Sequence, residues 1–237
     1  MTHTLAKRQT FRDVFGNTRV FLQTVLALDE RDALAGVEIC QRADAEGVFL
    51  MDPSSTNPSK ILSTQKAATE RFPGFWIGIN CIGWETPRAI MEIPASVPGL
   101  WCHEWGFGDP FWPEIPAQLK TLREQRTDWA GLCFGGMSLS GGVGEIAMHT
   151  NLAKTHMDVI TLDTHDRSRS LPLPLSVAIA RQSSVEFALA VANVTLDDGP
   201  GNVHYFIKIA DCFIGHDSIL RHDPRRVGEI VRLVHAE

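Results

Sequence analysis

Apolar residues along the chain gather in short runs that return at a regular interval. The runs at 20–26, 47–52, 75–80, 99–104, 129–135, 157–163, 186–193 and 211–215 are rich in Val, Ile, Leu, Phe and Trp, and their centres lie about 23 to 31 residues apart. A run that is apolar almost throughout marks a strand covered on both faces, as in a parallel sheet, because a strand with one wet face would alternate. The interval holds one strand, one crossover helix and two short loops. The segments between the runs carry helical period. Val203, Phe206, Ile207 and Ala210 stand at i, i+3, i+4 and i+7, as do Val227, Ile230, Val231 and Val234. Asp223-Pro224 opens the second of these helices with a capping carboxylate and a first-turn proline. After the sixth run, Pro172 and Pro174 exclude a regular helix before about Leu175.

Eight such units either close into a barrel or form a large open sheet. No Gly-x-Gly-x-x-Gly follows an early strand, which weighs against a dinucleotide-binding sheet and a nucleotide cofactor. The predicted fold is a single (β/α)₈ TIM barrel over 20–237 with a short extension over 1–19, and 237 residues suit one such domain. The pattern leaves open whether 1–19 is a lid at the barrel bottom, an exchange arm or a tail.

Composition narrows the class. With 44% hydrophobic and 21% charged residues the chain can bury a large core. A formal net charge of -6 gives no basic surface for a nucleic-acid partner. The five cysteines are dispersed, with no Cys-x-x-Cys, and read as reduced buried thiols of a cytoplasmic protein. No apolar run is long enough for membrane insertion, and the first residues lack a signal-peptide core.

A filled barrel confines chemistry to the loops after the strands. That rule selects Asp29, Asp52, Asn80, His103 with Glu104, Gly135-Gly136, Asp163 with His165, Asn193 with Thr195, and the stretch Gly215, His216, Asp217 and Ser218. His103 and Glu104 join an imidazole to a carboxylate, the groups of acid–base catalysis, although neighbours on a strand face opposite ways. Asp163 and His165, two apart, can share a face. Asp29, Asp52 and Asn193 read equally as caps or turn formers. Two further features have plain readings beside functional ones. The glycines of 135–144 either ring an anion with backbone N–H groups or form a flexible loop. His149 and His156, seven apart, are expected on the surface of one helix. No metal-ligand spacing occurs, so no residue is assigned to a metal, although a divalent metal is compatible with the rim. There is no Gly-x-Ser-x-Gly elbow and no P-loop lysine.

From the second strand onward the chain resembles the BtpA-like family of TIM barrels, within the ribulose-phosphate-binding and phosphoribosylanthranilate isomerase-like class. The resemblance is carried by Ala45-Glu-Gly-Val-Phe-Leu-Met-Asp52, Phe72-Pro-Gly-Phe-Trp-Ile-Gly-Ile-Asn80, Gly99-Leu-Trp101, Met157-Asp-Val-Ile-Thr161, and the block from Val194-Thr195 through 202–215 to Asp223-Pro-Arg-Arg-Val227. It implies a phosphate held by the loops after strands seven and eight, on Asn193, Val194 and Thr195 and on Gly215, His216, Asp217 and Ser218. The chain departs from that pattern. Asn193 stands where the family has glycine, Asp217 brings a negative charge to the second loop, and 163–168 replaces a glycine-rich turn after strand six.

The expected function is an enzyme, of isomerase or lyase type, that uses acid–base chemistry on a small sugar-like metabolite, phosphorylated or not. Asp52, His103 and Asp163 are its candidate acid–base groups, Asn80 orients the substrate, and Asn193, Thr195 and Gly215 to Ser218 receive its anionic end. The alternative is a non-catalytic assembly or regulatory factor that has lost the phosphate site. The aromatic residues Trp101, Trp105, Phe107, Phe111 and Trp112 bear on that alternative, as partner anchors, a lid or a packed loop, and self-association into a homo-oligomer stays open.

Overall fold

The computed structural model describes residues 8–16, 18–54, 58–102, 115–137, 139, 141–165, 169–184 and 186–236. Eight parallel strands form a closed barrel in sequence order: β1 (Val20–Leu26), β2 (Gly47–Met51), β3 (Trp76–Asn80), β4 (Gly99–Cys102), β5 (Leu132–Gly136), β6 (Val159–Asp163), β7 (Ala188–Val194) and β8 (Cys212–Gly215). β8 closes on β1 with Val20 opposite Cys212 and Gln23 opposite Gly215. The chain is thus a (β/α)₈ TIM barrel, with α2 (Glu30–Arg42), α3 (Pro58–Arg71), α4 (Thr86–Glu92), α5 (Ile115–Gln125), α6 (Val143–Ala153), α7 (Leu173–Ser183), α8 (Ser218–His222) and α9 (Arg225–His235) between or after the strands. Among the described residues, no helix is long and apolar enough to cross a membrane.

Alternation along each strand divides the apolar residues into two clusters. Leu22, Phe49, Trp76, Trp101, Phe134 and Ile214 fill the barrel, while Phe21, Leu50, Ile79, Ile160, Val191 and Phe213 meet the helices. Trp76 and Trp101 are the largest side chains inside. A Cβ on Gly78 or Gly99 would come within 2.5 and 2.3 Å of the Trp76 indole, and one on Gly47 would meet the Trp76 backbone carbonyl at 2.4 Å and its Cβ at 2.9 Å. α1 (Phe11–Phe15) closes the N-terminal end beneath it. Thr10 and Asp13 form a reciprocal cap on this short helix, and the Phe15 ring lies 5.4 Å from Trp76.

The same end carries a repeated electrostatic staple. Glu46, Asp158 and Asp211 each stand just before an even-numbered strand. Each carboxylate accepts the N–H of the second residue of the preceding strand: Phe21 at 2.8 Å, Cys133 at 2.7 Å and Leu189 at 2.9 Å. Each also faces a basic side chain from a helix, namely His235 at 2.9 Å, Arg123 and Arg181. Before β4 the corresponding residue is Pro98. There the indole N–H of Trp129 reaches the Val97 carbonyl at 2.7 Å, and Arg126 donates to the carbonyls of Ile90, Met91 and Ile93.

Several sequence expectations are corrected. The stripe of Val203, Phe206, Ile207 and Ala210 is buried, but the segment holds only a 3₁₀ turn at Val203–Tyr205, which opens with the Asn202 side chain accepting the His204 N–H. α7 begins at Leu173, two residues earlier than expected, since Pro172 and Pro174 fall at its cap and in its first turn, where no N–H is required. His149 is buried with Ile146, Thr150 and Ala153 on the inner face of α6, not on the surface, and His156 lies beyond the end of that helix.

Two outcomes follow. Gly99→Ala should lower stability by about 3 kcal/mol through overpacking, and Gly99→Ala combined with Trp76→Phe should cost less than the sum of the two single changes, measured by denaturant unfolding. Asp158→Ala, which strands the buried Arg123, should cost about 3 kcal/mol by the same measurement.

Candidate active site at the C-terminal rim

The polar residues of the rim sort by strand parity. Asp163 continues the inward positions Val159 and Thr161, and Asn80 continues Trp76 and Gly78. Asp52 continues the outward Val48 and Leu50. Its carboxylate is buried and accepts from the N–H and hydroxyl of Ser54 at 3.0 and 2.7 Å, and its other oxygen lies 4.0 Å from Lys60 of α3. Asn80 closes the turn after β3 by accepting the Ile82 N–H at 3.0 Å, while its amide nitrogen lies 3.6 Å from the Met51 sulfur. Asp29 caps α2, accepting from the N–H groups of Arg31 and Asp32. His103 and Glu104 lie outside the described residues, as do Trp105, Phe107, Phe111 and Trp112.

Asp163 is the centre of a bonded group. Its Oδ1 accepts the His165 N–H at 2.7 Å and the Asn193 amide at 2.7 Å. Asn193 reaches it because β7 bulges there: the register with β8 slips between Ala192 and Val194, and Asn193 adopts φ 61. A left-handed residue is where glycine is most at ease, and asparagine is among the few others that tolerate it. The Asn193 carbonyl accepts the Thr164 hydroxyl at 3.0 Å, and Gly201 is held close enough that a Cβ would meet that carbonyl at 2.9 Å.

Across the β7–β8 seam stands His216. Its ring meets that of His165 edge to face, with centroids 5.1 Å apart. Its Nδ1 lies 2.6 Å from the Ser218 hydroxyl, and 3.2 Å from the Ser218 N–H, which donates to it. Because an N–H can only donate, Nδ1 carries the lone pair and the neutral ring holds its proton on Nε2. Asp217 lies 3.3 Å from the same nitrogen and is itself paired with Arg221 at 2.7 Å. Partial burial lowers the His216 pKa from its ordinary 6.5. Asp217 and Asp163 oppose that shift, while His165 and Arg221 reinforce it.

Gln23 supports this edge. Buried in β1, it donates to the carbonyls of Thr24 at 2.9 Å and His216 at 3.0 Å, and Gly215 leaves room for it, since a Cβ there would meet its oxygen at 2.3 Å. A polar residue inside the apolar run 20–26 was its signal in the sequence. The turn after β7 closes on itself: the Thr195 N–H donates to Gly201 at 2.8 Å and its carbonyl accepts from Val203 at 3.0 Å. At the glycine-rich stretch the Gly142 N–H donates to Glu145 at 2.8 Å, so the chain's own carboxylate takes the place an anion would have there. All five cysteines are free and buried, and burial first of all pushes the Cys133 thiol up to about 12, which suits packing rather than nucleophilic work. Among the described residues, no three His, Cys, Asp or Glu side chains converge to hold a metal.

No protein-family model matches the sequence, and no curated protein matches it. Solved structures do resemble the fold. Orotidine 5'-monophosphate decarboxylase from Methanocaldococcus jannaschii superposes with a TM-score of 0.62 at 14% identity, covering 93% of this chain and 99% of that one. The (S)-3-O-geranylgeranylglyceryl phosphate synthase from Thermoplasma acidophilum gives 0.66 at 10%, covering 97% and 100%. Tryptophan synthase from Mycobacterium tuberculosis gives 0.66 at 11%, covering 97% and 99%. The chain is a TIM barrel structurally like these enzymes, and at such identities the likeness is one of fold.

The left-handed backbone at Asn193 yields a graded outcome. Asn193→Gly should lose only the bond to Asp163, about 1 kcal/mol, whereas Asn193→Val adds backbone strain and should cost about 2 kcal/mol more, read from thermal unfolding.

Proposed function

We propose that the protein is an enzyme that moves a proton on a small, carbonyl-bearing, sugar-like metabolite, phosphorylated or not, at the C-terminal rim of the barrel. The observation that carries this reading is the convergence of Asp163, held by Asn193 and the His165 turn, with His216, whose Nδ1 is occupied by Ser218. In it, Asp163 takes a proton from carbon next to the carbonyl. The His216 Nε2–H stabilises the oxygen on which negative charge develops, and Asn80 orients the substrate. A neutral imidazole suits that task because it donates without first giving up its proton to solvent. His103 is a further candidate acid–base group, and Asp52 with Lys60 is a charged pair at the end of β2. Two of the structural neighbours were solved with the inhibitor BMP and with sn-glycerol-1-phosphate, which supports trying phosphorylated ligands first. The resemblance to BtpA-like barrels agrees with a rim site.

Thermal denaturation against a panel of free and phosphorylated sugars should identify a ligand that raises the melting temperature by about 5 °C or more when well above its Kd. Turnover of that ligand should be lost in Asp163→Asn, whose own melting temperature should stay within about 3 °C of the native protein. Turnover unaffected by this change rejects Asp163 as the base. Stabilisation by no small molecule, with a protein partner alone having an effect, favours the assembly role.

A further inference from the structure

We propose that Thr24 and Thr161 are substrate-binding residues that receive the terminal hydroxymethyl group of a ketose at the floor of the barrel mouth. The inference deepens the proton-transfer reading and rests on it for the level at which the carbonyl stands. Threonine is a common strand residue, but buried hydroxyls elsewhere in the fold do not go unused. Those of Thr64, Thr150, Ser176 and Ser184 each donate to a carbonyl one helical turn earlier, and that of Thr164 donates to the Asn193 carbonyl. Among the described residues, Thr24 and Thr161 alone have buried hydroxyls without a partner. They are 3% and 1% exposed, and both point into the barrel, continuing Val20 and Leu22 in β1 and Val159 in β6. A buried hydroxyl left unpaired costs stability, so two of them facing the same interior mark a place for a group that can pair with them.

The registers set both threonines beneath Asp163. With a shear of about 8 over eight strands, the level rises one residue per strand relative to the hydrogen-bonded partner. Thr24 pairs with Phe49 and Phe49 with Gly78, so the inward residue of β3 level with Thr24 is Asn80. The same step leads from Asn80 through Trp101 and Phe134 to Gly136, and from Gly136 through Thr161 and Ala190 to Ala192. From Ala192 it returns through Ile214 and Leu22 to Thr24. This layer sets Thr24 across from Gly136 and Asn80 across from Ala192, so two polar side chains face two positions that fill little space. Thr161 stands one step lower, with Phe49, Trp101 and Ile214, and Asp163 one step higher. Every residue of the two lower layers is uncharged, so a phosphate or carboxylate there would lose its hydration with no cation to replace it. A threonine hydroxyl both donates and accepts, which suits another hydroxyl. The anionic end of the substrate therefore stays at the rim, the carbonyl stands beside Asp163, and the carbon beyond it carries the deep hydroxyl. A hydroxymethyl group next to a carbonyl is the mark of a ketose.

The test uses xylulose and its deoxy twin, in which the hydroxymethyl group next to the carbonyl is a methyl group, each in free and terminally phosphorylated form. Binding is measured by titration calorimetry. In the native protein the hydroxylated member of at least one pair should bind about tenfold more tightly or better. The double variant Thr24→Val with Thr161→Val keeps the side-chain shapes, and in it the preference should fall to about threefold or less. Its melting temperature should lie no more than about 3 °C below that of the native protein, because the groups removed were unpaired. A weaker preference in the native protein, including binding of neither member, overturns the proposal. So does a preference above that level in the double variant, or a larger loss of melting temperature, which would show the hydroxyls bonded within the fold. If the preference is lost in the double variant while Asp163→Asn still turns substrate over, the floor stands and the base assignment falls. If Asp163→Asn abolishes turnover of a sugar found by thermal denaturation while the twins bind alike, the base stands and the floor falls.

Discussion

A closed barrel has an interior of fixed width, and every inward residue must help to fill it without overfilling it. In this chain that constraint is met by one oversized side chain set among three glycines. Trp76 spreads across Gly47, Gly78 and Gly99, with Phe49 and Phe134 against it, and the rings of α1 seal the end below. Once the lower barrel is filled in this way, alternation dictates what comes above. Thr24, Asn80 and Asp163 face inward, and the rim becomes the place where polar atoms collect. The site is thus a consequence of packing several layers beneath it.

The fold was legible because strand runs covered on both faces carry a strong signal that tertiary contacts reinforce. The strand boundaries agree within a few residues, from β1 at Val20–Leu26 to β8 at Cys212–Gly215. The failures came where periodicity was read without the local turns that interrupt it. The buried residues of 203–210 satisfy a helical stripe, yet a loop held by Gly199 and Gly201 can bury the same side chains in a single tight turn. The prolines before α7 misled for the opposite reason, since a helix start tolerates what a helix interior does not.

The rim was legible as a set of residues but not as a geometry. Asp163 and Asn193 could be named from their positions after strands, but their mutual bond depends on a bulge and a left-handed residue that no spacing rule reveals. Gln23 went unread because a buried amide inside a strand resembles a tolerated exception. Its role depends on the partner strand lacking a side chain at Gly215. The roles of Asp29 as a helix cap and of Glu145 as the closure of the glycine-rich turn come from local competition for backbone N–H groups, in which nearby carboxylates outcompete a distant ligand.

The staples of Glu46, Asp158 and Asp211 have a bearing on how the chain is divided. Each joins an odd strand to the even strand that follows it, and none joins an even strand to the next odd one. Three of the four consecutive strand pairs are thus clasped internally at that end, while the β3–β4 pair lacks the staple and is tied to the following strand's approach through Trp129 and Arg126. New termini introduced between β2 and β3, or between β6 and β7, would leave every clasp within one continuous stretch of backbone. A cut between β5 and β6 would instead turn a local closure into one that spans the whole permuted chain.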